Sequence, residues 1–81
     1  MTICEATAKR IEGLLAERNM KPYHLEKKTG IPHGTMACIL NRENKDITFS
    51  KLIMIANGFD MTFMEFLDHP LFLSDELEYE Y

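Results

Sequence analysis

At Thr29-Gly30-Ile31-Pro32 the chain must turn sharply, because glycine admits the positive backbone angle of a tight turn and proline cannot continue a helix begun before it. Upstream, Pro22 suits a first helical position, and a short helix runs through Leu25 to Lys28 before Thr29-Gly30 stops it. Downstream, Pro32 opens a third helix whose apolar Met36, Ile39 and Leu40 share one face, ending near Asn41-Arg42. Leu25, Ile31, Met36 and Ile39 can then form a small core that locks two short helices at a steep angle.

The flanking segments also read as helices. Residues 6–18 place Ile11, Leu14, Leu15 and Arg18 at helical spacing, and Asn19 suits the end of that helix. Residues 43–48 are polar and read as a loop. Thr48 or Ser50 caps a fourth helix carrying Phe49, Leu52, Ile53, Ile55 and Ala56, closed by Asn57-Gly58. Thr62 and Glu65 form a capping-box pattern for a fifth, with Phe63, Phe66 and Leu67 facing inward, and His69-Pro70 ends the compact part. No segment alternates with period two. The expected fold is all-α: a compact five-helix domain over residues 1–70, then an acidic, aromatic tail over 71–81. That tail sets Leu71, Phe72, Leu73, Leu77, Tyr79 and Tyr81 among four acids, apolar enough to pack or to bind.

With 81 residues the chain can enclose one core, and 46% apolar with 27% charged residues is ordinary globular usage. No apolar run approaches the roughly 20 residues of a membrane span, and the N-terminus lacks a signal pattern, so a cytoplasmic protein is expected. Cys4 and Cys38 have no metal-ligand spacing and read as reduced thiols; the histidines form no cluster, so neither metal nor cofactor is expected. The chain also lacks a nucleophile and base at catalytic spacing, a Gly-rich phosphate loop and paired carboxylates on one helix face, which argues against an enzyme.

The net charge of −4 hides a division. Residues 18–51 hold Arg18, Lys21, Lys27, Lys28, Arg42, Lys45 and Lys51 against Glu26, Glu43 and Asp46; residues 52–81 hold acids and neither Lys nor Arg. The basic block coincides with the helix pair. One part can meet phosphate while another repels it.

From Leu25 through Gly30-Ile31 to Met36, and on through Ile39, Asn41, Ile47-Thr48-Phe49, Leu52, Ile55-Ala56 and the Phe63 to Leu67 segment, the sequence resembles the lambda repressor and Cro type of helix-turn-helix proteins, the XRE family. The resemblance spans about residues 6–68. It implies a regulator of transcription that binds double-stranded DNA, laying its third helix in the major groove with the N-terminal residues toward base edges. On matching positions it implies base-facing roles for His33, Gly34, Ala37 and Cys38, with Asn41 farther along. It implies phosphate contacts at Lys21, Tyr23, Asn41, Arg42, Asn44 and Lys45, with Thr35 either core or phosphate-bound. Three positions depart from the pattern. Pro22 stands where many relatives carry Gln, and Leu15 and Leu40 stand where many pair a buried Arg with Glu, so an apolar contact replaces that ion pair. On the reading helix, Gly34, Ala37 and Cys38 carry no bidentate group, which leaves His33 and Asn41 as its hydrogen-bonding residues and gives shape a larger share of the readout.

Met54 and Met64 occupy positions that are polar in many relatives, and with Phe72, Leu73 and the tail tyrosines they outline an apolar patch. A homodimer formed there would set two reading helices about 34 Å apart, one turn of duplex. Two alternatives stay open. The tail covers helix five within one chain, or the scaffold is a protein-interaction module, such as an antitoxin, that holds a partner through residues 71–81.

Overall fold

A computed structural model describes residues 2–43 and 47–73. These residues form α1 (Ile3–Glu17), α2 (Pro22–Thr29), α3 (His33–Leu40), α4 (Phe49–Gly58), α5 (Phe63–Leu67) and α6 (Pro70–Leu73), with no strand among them. The all-α expectation holds. At its two ends the described chain differs from the sequence expectation. First, α1 begins three residues early, because Thr2 accepts the Glu5 N–H at 3.1 Å on its hydroxyl and Thr2-x-x-Glu5 is a capping signature that the apolar spacing does not reveal. Second, the chain does not leave the compact part at Pro70: the described residues hold six helices rather than five. Phe72 on α6 packs against the core, its ring 6.0 Å from that of Phe66.

Helix ends explain where the elements stop. Thr48 caps α4 and Thr62 caps α5, the latter reciprocally, with Thr62 N–H donating to Glu65 Oε1 at 2.9 Å and Glu65 N–H to Thr62 Oγ1 at 3.1 Å. The first of these bonds holds the Glu65 carboxyl below the usual carboxylate range, helped by the Thr62 hydroxyl and by the nearby Arg18. Helices α1, α3 and α4 close in the same way. Asn19, Arg42 and Asp60 each take a positive φ, and the next N–H reaches back to Leu15, Cys38 and Ala56 carbonyls at 2.8–3.0 Å. Helix α4 ends at Gly58, as Asn57-Gly58 suggests, and the left-handed residue that follows is Asp60.

One core joins the helices: Ile11, Leu14 and Leu15 of α1, Leu25 of α2, Ile31 in the turn, Met36 and Ile39 of α3, Ile55, Ala56 and Phe59 of and after α4, and Phe66 of α5. Fully burying rings such as Phe59 and Phe66 stabilises by about 2–3 kcal/mol each. Leu15 is buried, and Leu40 packs against this cluster from α3. Two arginines of α1 then tie the C-terminal helices down. Arg10 Nε donates to the Phe66 carbonyl at 2.9 Å with its guanidinium 5.8 Å from the Phe66 ring centre. Eight residues on, Arg18 donates to the Phe59 carbonyl and lies 5.7 Å from that ring. Each satisfies a carbonyl left over at a helix end.

Gly58 is buried where α4 meets α2; a methyl group built there would stand 2.7 Å from Thr29 Cγ2 and 2.8 Å from Leu25 Cδ1. Both neighbours belong to the turn unit, so α4 braces the helix pair from behind. Gly58→Ala is expected to lower unfolding free energy by about 1–3 kcal/mol in urea titrations. Gly13→Ala, on an exposed stretch of α1 with nothing within 4 Å, is expected to raise it by about 0.5–1 kcal/mol. Equal effects at the two sites would contradict the close α2–α4 packing.

Candidate nucleic-acid interface

The helix pair is fixed by its turn. Gly30 takes φ +77°, and its N–H donates to the Glu26 carbonyl at 2.8 Å. The Thr29 hydroxyl donates to the Leu25 carbonyl at 2.8 Å and accepts the Ile31 N–H at 3.2 Å, so one side chain bridges the end of α2 and the departing strand of chain. Ile31 then drops into the core beside Leu25, and Pro32, expected as the first helical residue, serves as the N-cap of α3 with extended backbone. Its carbonyl accepts the Met36 N–H at 3.0 Å.

This geometry sorts the residues of α3. Met36 and Ile39 are buried; His33, Gly34 and, at the C-cap, Asn41 are exposed; Thr35, Ala37 and Cys38 are half-buried. Every side chain at the helix start that faces water is thus one expected to face bases. At the start of α2, Lys21 and Tyr23 are exposed as well, and Lys27 lies over the Tyr23 ring at 5.3 Å. The expected phosphate contacts at Asn44 and Lys45 lie outside the described residues.

The basic block is less free than its composition suggests. Arg18 is engaged at Phe59, Lys28 pairs with Asp60 at 3.7 Å, and Arg42 pairs with Glu12 of α1 at 2.9 Å while holding the Leu40 carbonyl at the same distance. The Arg42 contact joins the far end of α3 to α1. Among the described cations of this block, Lys21, Lys27 and Lys51 carry no such ion pair, Lys27 lying instead over the Tyr23 ring. Charge counting misses this, because the acids that pair with Lys28 and Arg42 lie far along the chain.

Two of the histidines cap helices. His24 Nδ1 accepts the Lys21 N–H at 3.0 Å, doing the work of a capping-box acid, and His69 Nδ1 accepts the Leu71 N–H at 3.1 Å ahead of α6. His33 behaves differently: its Nδ1 meets the Glu26 carboxylate at 3.0 Å across the turn.

A family model for the Cro/C1-type helix-turn-helix DNA-binding domain matches residues 10–71, most of the chain and all of α2 and α3. The chain belongs to this family. No curated protein and no solved structure matches it. In a Cro/C1-type domain α2 and α3 are the helix-turn-helix, so this is a DNA-binding domain of the regulatory kind, a family typically without enzymatic activity. Among the described residues no helix is long and apolar enough to cross a membrane.

Cys38 is half-buried on α3, and its thiol is pushed above the ordinary cysteine range, first by donating to the Glu43 carboxylate, then by desolvation and by that same negative charge. The thiolate is the reactive form, so Cys38 is expected to alkylate with iodoacetamide at pH 8 more slowly than an unstructured peptide thiol, and Glu43→Gln is expected to speed it severalfold. Peptide mass spectrometry separates it from the buried Cys4. A Cys38 that alkylates faster than the peptide would contradict the contact with Glu43.

Proposed function

We propose that this chain is a sequence-specific, homodimeric regulator of transcription, a repressor or autoregulator acting in the cytoplasm, that reads the major groove with α3. The observation that carries the reading is the exposed start of α3, with His33 and Gly34 clear of the protein while Met36 and Ile39 anchor the opposite face in the core. A helix held from one side and open at its N-terminus is the part of a helix-turn-helix that enters the groove. Base contacts fall to His33, Gly34, Ala37, Cys38 and Asn41. Small side chains at Gly34 and Ala37 let the helix approach closely, and Ala37 suits a thymine methyl. Phosphate contacts fall to Lys21, Tyr23, Thr35, Asn44 and Lys45, and to Arg42 once a phosphate competes with Glu12 for its guanidinium.

The dimer is proposed on the apolar patch of α4 and α5. Phe49 is 69% exposed and Met64 74%, with Ile53 and Met54 also exposed between them, and the Phe49 and Phe63 rings stand 5.2 Å apart. Large apolar side chains gathered on one face of a small domain favour a protein contact. The same patch is what favours a second reading, a protein-interaction module such as an antitoxin that keeps the scaffold and binds another protein.

Selection from a random duplex pool separates the two. The regulator reading expects an enriched palindromic site with half-sites about 34 Å apart. It also expects a linear fall of log affinity with log salt, a slope that Lys21→Ala reduces by about one. No enrichment, together with a stoichiometric protein partner that is lost when residues 71–81 are deleted, would overturn it in favour of the interaction module.

A further inference from the structure

Glu26 and His33 face each other across the Gly30 turn, one from α2 and the other from the first position of α3. His33 Nδ1 lies 3.2 Å from Glu26 Oε1 and 3.0 Å from Oε2. Their exposures differ sharply: the Glu26 side chain is 14% exposed and that of His33 84%. A carboxylate so far withdrawn from water requires a donor, and among the described residues the His33 ring is the side chain that supplies it. Because a carboxylate only accepts, the ring hydrogen must sit on Nδ1. A neutral imidazole has one N–H, so Nε2 is left with a bare lone pair on the open side of the ring. His24 and His69 show the opposite arrangement: their Nδ1 atoms accept from backbone N–H groups, which puts the hydrogen on Nε2.

We propose that Glu26 is a positioning residue that fixes His33 as a hydrogen-bond acceptor, so that Nε2 selects an exocyclic amine, adenine N6 or cytosine N4, at one position of the bound duplex. The inference rests on the sequence-specific DNA reading above. In the major groove adenine and cytosine present donors, whereas guanine presents O6 and N7 and thymine presents O4, acceptors that a lone pair cannot satisfy. A histidine without Glu26 would turn its ring and shift its hydrogen to suit either class. The carboxylate therefore converts an indifferent residue into a discriminating one without touching the DNA. It also supplies, by orientation, part of the specificity that Gly34, Ala37 and Cys38 lack.

Two measurements test this. At pH 8, two-bond ¹H–¹⁵N correlations of the imidazoles report which ring nitrogen holds the hydrogen. The expected result is Nδ1 for His33 in the native protein, and a shift toward Nε2 in Glu26→Ala. A native His33 with its hydrogen on Nε2 overturns the proposal. In duplex selection followed by competition binding, the native protein is expected to prefer adenine or cytosine over guanine or thymine at one position by about fivefold to tenfold. His33→Ala, at an exposed site that leaves folding intact, is expected to abolish that preference while the rest of the motif remains. Glu26→Ala, checked for an unchanged helical circular dichroism spectrum, is expected to do the same, and the double variant to lose no more than either single one. An enriched motif indifferent to both variants overturns this inference alone; no enriched duplex overturns the DNA reading and this inference with it.

Discussion

The Thr29-Gly30-Ile31 turn is the constraint on which the rest of the molecule depends. Glycine permits the positive φ, the Thr29 hydroxyl locks both sides of the bend, and Ile31 anchors it in the core. Each contributes something the others cannot, and together they fix how α3 leaves α2. The remaining helices serve this unit. Helix α4 presses Gly58 against Leu25 and Thr29, and α1 packs against α3 while the Arg42–Glu12 pair secures the far end of α3.

Charge is divided by task in a way that net values conceal. Among the described Lys and Arg residues, four tie helices together: Arg10 and Arg18 at carbonyls near the ends of α5 and α4, Arg42 at Glu12, and Lys28 at Asp60. The two arginines of α1 repeat one device eight residues apart, a guanidinium over a buried phenylalanine ring and bonded to that residue's own carbonyl. The consequence for function is that fewer cations are free to meet phosphate than the sequence suggests.

Much of this was legible in the residues. Gly30, the two prolines and the spacing of Leu25, Ile31, Met36 and Ile39 give the helix pair, because turn chemistry and helical periodicity are both local. Thr62 and Glu65 give α5 for the same reason. The start of α1 is not visible in the apolar spacing, though Thr2 and Glu5 form the same local capping pattern as Thr62 and Glu65, and the existence of α6 was not legible at all. The first depends on a capping threonine that precedes the apolar pattern, and the second on a ring contact between Phe66 and Phe72. At the candidate interface, the residues were named from the family resemblance, but their partners could not be: Glu26 meets His33 across a turn and Glu12 meets Arg42 across 30 positions of chain. Such pairs are set by tertiary packing, and no periodicity announces them.

The central claim is that the open face of α3 is the surface that meets DNA. It is tested most directly by titrating duplex into ¹⁵N-labelled protein and mapping which backbone amides shift. The account predicts the largest changes at residues 33–38 and at Lys21 and Tyr23, with Phe49, Ile53, Met54 and Met64 hardly affected. Changes confined to those four residues and their neighbours on α4 and α5 would contradict it.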